Sequence, residues 1–154
     1  MPDYGVLPPD QGSGLLPWSW AEQRLQAAGN YWVATVWPDG RPHLTAVWGQ
    51  WHDGRLLFTC AKRSRKARNL AADPRLTVST EDASDSVVLE GVAELVSDRD
   101  EIRRVVDVLN RKYPGTYSAE FLDPAVNATF GVRPRQAWGM RHDDFVGSPT
   151  RWTF

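Results

Sequence analysis

The sequence holds a single cysteine, Cys60, in 154 residues. That excludes a disulfide framework within the chain and fits a reducing compartment, so a cytoplasmic location is expected. No apolar run approaches the roughly 20 residues that span a bilayer, so no membrane partner is expected. The Pro/Gly-rich start lacks the basic-then-apolar pattern of a signal peptide. The histidines, His43, His52 and His142, have no Cys, His or carboxylate partner at metal-ligand spacing, and no metal is expected. There is no G-x-S-x-G elbow, Walker loop or G-x-G-x-x-G. The acidic residues fall mostly in turns and on helix faces, so no catalytic pair can be assigned. The net charge is only -1, which argues against a general nucleic-acid coat protein.

Against that near-neutral background, one stretch stands out. Five of the seven residues Lys62, Arg63, Ser64, Arg65, Lys66, Ala67 and Arg68 are basic. Subtracting those five charges from the net -1 leaves -6 on the rest of the chain. A strand-like run, Leu56 to Cys60, leads in, and a helix-like run, Lys66 to Ala72, leads out, with Ser64 placed to cap it. A basic loop at a helix N-terminus makes a phosphate site, because open backbone N–H groups and the helix dipole both favour an anion. A solvated helix face or an RNA-binding patch has the same charge pattern, and charge alone leaves these readings open.

The order of elements can be read around this stretch. Residues 1–17 are rich in Pro and Gly and form an extended arm, disordered alone or wrapped over a neighbour. Ser19 to Glu22 fits a capping box for a helix that stops at Gly29. A β-meander follows, with strands over 31–37, 42–51 and 56–60 joined by two Asp-Gly turns. Further strands are expected over 75–80 and 86–96, with Gly91 as a bulge or bend. Ser97 or Asp98 caps a long helix whose apolar stripe is Ile102, Val105, Val106, Leu109 and Tyr113. Tyr117 to Leu122 reads as a helical turn. Two closing strands, 128–132 and 136–140, flank Arg133-Pro134. The aromatic tail, 149–154, is expected to be docked. Six or seven successive strands with flanking helices predict an α+β fold, a mainly antiparallel sheet closing into a barrel. Residues 18–154 form one domain. Cys60 reads as a small core residue and His52 as an exposed turn residue. For His43, ligand contact, packing and solvent exposure remain open. An anion site with eight tryptophans and no acid/base set fits chemistry carried by a cofactor.

The ordered set of segments resembles the split-barrel flavin-binding superfamily of pyridoxamine 5′-phosphate oxidase, and within it the flavin/deazaflavin-dependent oxidoreductases. The segments are 34–36 with the 38–43 turn, 45–48, 54–59, Ser64 to Leu70, 73–75 and the terminal Arg151-Trp152-Thr153-Phe154. The resemblance implies a split barrel that dimerises with its cofactor, coenzyme F-420 or FMN, at the subunit interface. It implies phosphate binding by Ser64, Arg65 and Lys66, with Asn69 one helical turn on. It implies a strand along the flavin ring, here His43, Leu44, Thr45, Ala46, Val47 and Trp48, with Thr59 beside the phosphate. Trp48 and Trp138 are further candidates for ring or pocket contacts, with core packing as the alternative. The terminal motif favours the deazaflavin branch, in which a reduced cofactor delivers a hydride to an unsaturated acceptor, often without a protein proton donor. The alternatives are a non-catalytic flavin or haem carrier and an FMN-dependent pyridoxamine phosphate oxidase-like enzyme.

Overall fold

A computed structural model describes residues 5–154. The first four residues of the expected arm lie outside the described residues. The elements are α1 (Trp18–Ala27), β1 (Tyr31–Val36), β2 (Pro42–Val47), β3 (Gly49–His52), β4 (Arg55–Ala61), α2 (Arg65–Ala72), β5 (Arg75–Thr80), β6 (Val87–Val96), α3 (Arg99–Lys112), β7 (Asn127–Gly139) and β8 (Thr150–Thr153), with one 3-10 turn at His142–Asp144. The strands form one eight-stranded antiparallel sheet in the order β2-β1-β5-β6-β7-β4-β3, with β8 also on β7. The two ends of that order, β2 and β3, are consecutive in the chain. The sheet therefore curls round until its ends meet at Trp48, an antiparallel split barrel of the expected α+β class.

The strands are divided differently from the expectation at two places, and the eighth is β8 of the docked tail, Thr150–Thr153. The run 42–51 is not one strand: it breaks at Trp48, β2 pairing with β1 and β3 with β4. Gly49 makes the change of partner possible, since a Cβ there would lie 2.8 Å from the Leu57 carbonyl oxygen. The two closing strands are instead one, β7, running through Pro134. Proline lacks an N–H and is tolerated only where the ladder is already interrupted. Here the β6–β7 register slips between Glu90 and Gly91, with Gly91 opposite Pro134. The bulge expected at Gly91 is thus present, and it is what accommodates Pro134.

The helices are set by local chemistry. Ser64 Oγ caps α2 by accepting the Ala67 N–H at 3.3 Å, and Asp98 caps α3 through the Glu101 N–H at 2.8 Å. The capping box at Ser19 is not formed. Pro17 takes the cap position with an extended backbone, its carbonyl accepts the Trp20 N–H, and Ser19 lies inside the first turn. Glu22 accepts from Trp51 Nε1 at 3.4 Å instead of closing the box. The α3 stripe buries Ile102, Val105, Val108 and Leu109 against Leu57, Val96 and Leu122, with Val106 and Tyr113 at its margin. The barrel core is filled by Val33, Leu56, Phe58, Val78, Leu89 and Val132, among others, and closed on one side by Ala21 and Leu25 of α1.

Both ends of the described chain dock on each other. Leu16 donates its N–H to Thr150 Oγ1 at 2.9 Å and accepts from Trp152 Nε1 at 3.2 Å, while the Leu7 N–H bonds the Val146 carbonyl. Trp18 meets Trp152 and Phe154 edge-on at 5.4 and 4.7 Å. The aromatic tail is therefore docked as expected.

The Trp48 corner is pinned from α3. The Tyr113 hydroxyl lies 2.7 Å from the Gly29 carbonyl oxygen and accepts the Gly49 N–H. The Lys112 ammonium donates to the carbonyls of Gly49, at 2.8 Å, and of Ala28. Burial pulls Lys112 down to about 8, with the Glu81 carboxylate acting in the opposite sense. An unfolded lysine titrates near 10.4. Between roughly pH 8 and 10 the unfolded chain therefore holds the extra proton, and stability rises with pH. Above about pH 10 the sign reverses, because burial raises the hydroxyls of Tyr31, Tyr113 and Tyr117, the last to about 12. Urea midpoints are expected to climb from pH 8 to 10 in the native protein and to lose that climb in Lys112→Met. An equal climb in both proteins would show that Lys112 is not its source.

Candidate cofactor site

Strand β4 delivers the chain into the basic loop, and α2 leaves it with an open N-terminus and no acidic residue in its first turn. None of the ion pairs among the described residues includes Lys62, Arg63, Arg65, Lys66 or Arg68. Lys62 turns away and donates to the Pro124 carbonyl at 2.9 Å. Arg63 and Arg68 are exposed, and Ser64, Arg65 and Lys66 are half-buried. Among the described residues, no carboxylate is in ion-pair contact with the positive charge at this helix end.

Arg65 is held in place by the β1–β2 turn. Its guanidinium carbon lies 3.6 Å from the Trp37 ring centre, and that of Arg41 lies 4.4 Å from the same ring. Arg41 is paired with Asp39 at 2.9 Å. The Arg65 Nε is buried with no hydrogen-bond partner. Desolvation first, then the neighbouring charges of Arg68 and Arg41, lower the Arg65 pKa, with Asp39 opposing. Such a cation gains by meeting an anion. Sequence reasoning missed the roles of Trp37, Asp39 and Arg41. The signal was available, since the turn carrying Arg41 ends two residues before His43.

Beneath this layer lies a buried polar chain. Asn69 is 1% exposed, so it does not reach the surface beside Lys66 as the helical spacing implied. Its Nδ2 donates to Thr35 Oγ1 at 3.0 Å, and Thr35 Oγ1 is 3.4 Å from His43 Nδ1. The His43 ring also meets Trp37 edge-on at 6.4 Å. Thr35 is a further residue that sequence reasoning missed; its cross-strand pairing with His43 is set by the hairpin register. Thr59 is half-buried on β4, bonding the Ala128 carbonyl and Thr129 Oγ1, both at 3.3 Å. Burial pushes the Cys60 thiol up, against the Ser64 hydroxyl and Lys66 charge. Cys60 packs at the edge of the core.

The strand 43–48 divides its side chains by the two-residue period. His43, Thr45 and Val47 turn inward, whereas Leu44 and Ala46 are exposed, Leu44 at 63%. Trp48 is 53% exposed and stacks on Tyr113 with ring centres 5.4 Å apart. His43 stands at the anion end and Trp48 at the far end, roughly 16 Å away by strand rise. The candidates thus form a track rather than a cluster: Ser64, Arg65, Lys66 and His43 gather at one end, and Trp48 lies at the other.

The sequence model of the family described as pyridoxamine 5′-phosphate oxidase matches residues 21–141. The chain belongs to that family. The pyridoxamine 5′-phosphate oxidase match takes in every element from β1 to β7 and every candidate residue of the track. Among solved structures, the chain is similar to protein Rv2991 of Mycobacterium tuberculosis, with 27% identity, 82% of this chain and 86% of that chain covered and a TM-score of 0.73. It is also similar to an F420 reductase, with 29% identity, 75% and 94% covered and a TM-score of 0.62. The haem storage protein HutZ of Vibrio cholerae, at 18% identity, 74% and 87% covered and a TM-score of 0.63, shares the fold alone. No curated protein matches the chain.

Outside the barrel, the sheet leaves an apolar face. Trp32, Val36, Leu44, Trp48 and Trp138 are exposed there or at its rim. A groove of about 510 Å³ crosses this surface, lined by Ala34, Val36, Pro42, Thr77, Glu90 and Gln136. No group of three or more metal-ligating side chains occurs among the described residues, and no helix among them is long and apolar enough to cross a membrane.

Proposed function

We propose that the protein is an oxidoreductase that binds coenzyme F-420 or FMN and passes a hydride to an unsaturated small-molecule acceptor. The observation that carries this reading is the unpaired positive charge at the α2 N-terminus, set at one end of the β2 track. Arg65 and Lys66 neutralise the cofactor phosphate, and Ser64 and the open N–H groups of α2 bond it. The β2 backbone and its half-buried residues His43 and Thr45 support the ring, with Val47 packed behind them in the core. Asn69 acts from below by bonding Thr35. Hydride chemistry belongs to the cofactor when bound, and this chain's residues bind, orient and exclude water.

The same reading takes the protein as a homodimer with the cofactor between subunits. The exposed apolar face supports it, because a monomer rarely leaves Trp32, Leu44 and Trp138 together in water. The likeness to an F420 reductase and the additional cations Arg63, Arg68 and Arg41 favour the deazaflavin with its longer anionic tail. Separate fluorescence titrations with FMN and coenzyme F-420 test the proposal. Micromolar or tighter binding of the deazaflavin is expected; tight binding of FMN alone would move the reaction to flavin chemistry, and binding of neither would overturn the reading.

A further inference from the structure

We propose that Thr35 is a positioning residue of this site: it fixes the neutral His43 ring in the tautomer that carries its proton on Nε2, so that an N–H donor faces the track. The inference rests on the cofactor reading for its purpose, but not for its geometry. Thr35 is 2% exposed on β1 and stands opposite His43 in the β1–β2 ladder. A threonine hydroxyl has one proton and two lone pairs. One lone pair takes the Asn69 Nδ2–H, at 3.0 Å. The hydroxyl's own proton then has one acceptor within reach among the described residues, His43 Nδ1 at 3.4 Å. A ring that accepts at Nδ1 carries its hydrogen at Nε2.

The neighbours leave the ring little freedom. Trp37 meets it edge-on at 69°, and Trp37 itself lies beneath the Arg65 guanidinium. Asn69 completes the arrangement at a cost: its Oδ1 is buried with no partner, which folded proteins seldom accept without a reason. The reverse amide orientation would satisfy Oδ1 with the Thr35 proton and leave His43 Nδ1 free to carry hydrogen. With Nδ2 facing Thr35, that proton goes to His43 instead. A hydrogen-bond donor at Nε2 suits a ligand that offers acceptors, such as the carbonyl edge of a flavin-like ring or a phosphate oxygen.

The test reads the histidine directly. In cofactor-free protein labelled with 15N at histidine, long-range 1H–15N correlation spectra report which ring nitrogen is protonated, and His43→Gln assigns the His43 signals among the three histidines. The native spectrum is expected to show Nδ1 bare and Nε2 protonated. Thr35→Val should relax His43 from a single tautomer towards a mixture with Nδ1 partly protonated, and weaken the better-bound cofactor by roughly three- to tenfold, the loss of about one hydrogen bond. Thr35→Ser should restore both. A native His43 protonated at Nδ1 would overturn the proposal, and so would a Thr35→Val spectrum unchanged from native. The native spectrum needs no variant to fold and no cofactor to bind. If neither FMN nor F-420 binds, the cofactor reading falls while the tautomer still decides the role of Thr35.

Discussion

Replacing Arg65 and Lys66 together by alanine is expected to weaken cofactor binding by a hundredfold or more while leaving the fold intact. A hydrogen bond to a charged group contributes about 1.5–3 kcal/mol, and 1.4 kcal/mol is roughly tenfold in affinity, so removing two such hydrogen bonds at once accounts for the effect. The fold should hold because neither side chain lies in the core. The Ser64 cap on Ala67 remains, and alanine is a better helix former than either residue it replaces. Two graded controls separate the site from general electrostatics. Trp37→Leu removes the ring beneath Arg65 and should weaken binding by only two- to fivefold, matching the roughly 0.5–1 kcal/mol of an exposed cation–π contact. Arg63→Ala removes an equal charge from an exposed position and should do less than Arg65→Ala. Titration of each variant, with melting temperatures measured alongside, reads all of this. Unchanged affinity in the double variant would sink the phosphate assignment, and an equal loss for Arg63→Ala would reduce the site to a diffuse positive surface.

The parts of this site that were legible in the sequence were those written in local chemistry. Ser64 before a basic run announces a helix cap and an anion site through residues adjacent in the chain, and the structure forms the cap. Thr35, Trp37 and Arg41 escaped because their roles arise from pairing. Only the register of β1 against β2 brings Thr35 to His43, and only the packing of α2 on that hairpin lays Arg65 over Trp37. Asn69 shows the same limit in reverse. Helical spacing puts it near Lys66, but α2 is so short and so closely packed on β1 that its inner face is buried, and Asn69 with it. The fold obeyed the same division. Turns and caps could be read from short segments. The break at Trp48 could not, because it is caused by the change of partner from β1 to β4 and by Tyr113 and Lys112, more than sixty residues away. The continuity of β7 through Pro134 was hidden for a related reason: the tolerance comes from the strand opposite.

That tolerance makes Gly91→Val the most damaging single substitution expected in the barrel. A Cβ at Gly91 would lie 2.3 Å from the Arg133 carbonyl oxygen and 3.2 Å from the Pro134 Cα. All of its near neighbours are backbone, so no side chain can swing aside. Relief requires β7 to move, and β7 is hydrogen-bonded to β6, β4 and β8. The displacement would be felt by Phe130, Val132 and Ala137, which are buried in the core. A clash of this kind falls among the exceptional substitutions that exceed about 4 kcal/mol, a large part of the roughly 5–15 kcal/mol that holds a domain together. The variant should be largely insoluble, or melt lower by about 10–15 °C or more. Gly91→Ala should follow the same course with little relief, since the first carbon already makes the clash. The consequence reaches the site as well. The first half of β7 pairs with β4, which feeds the basic loop, and the second half holds β8 with Trp152. A displaced β7 would pull both apart, so any folded fraction should bind cofactor less tightly than the native protein. A Gly91→Val protein melting within a few degrees of native would mean that β7 yields at the bulge. Pro134 would then sit in a hinge, not in a fixed ladder.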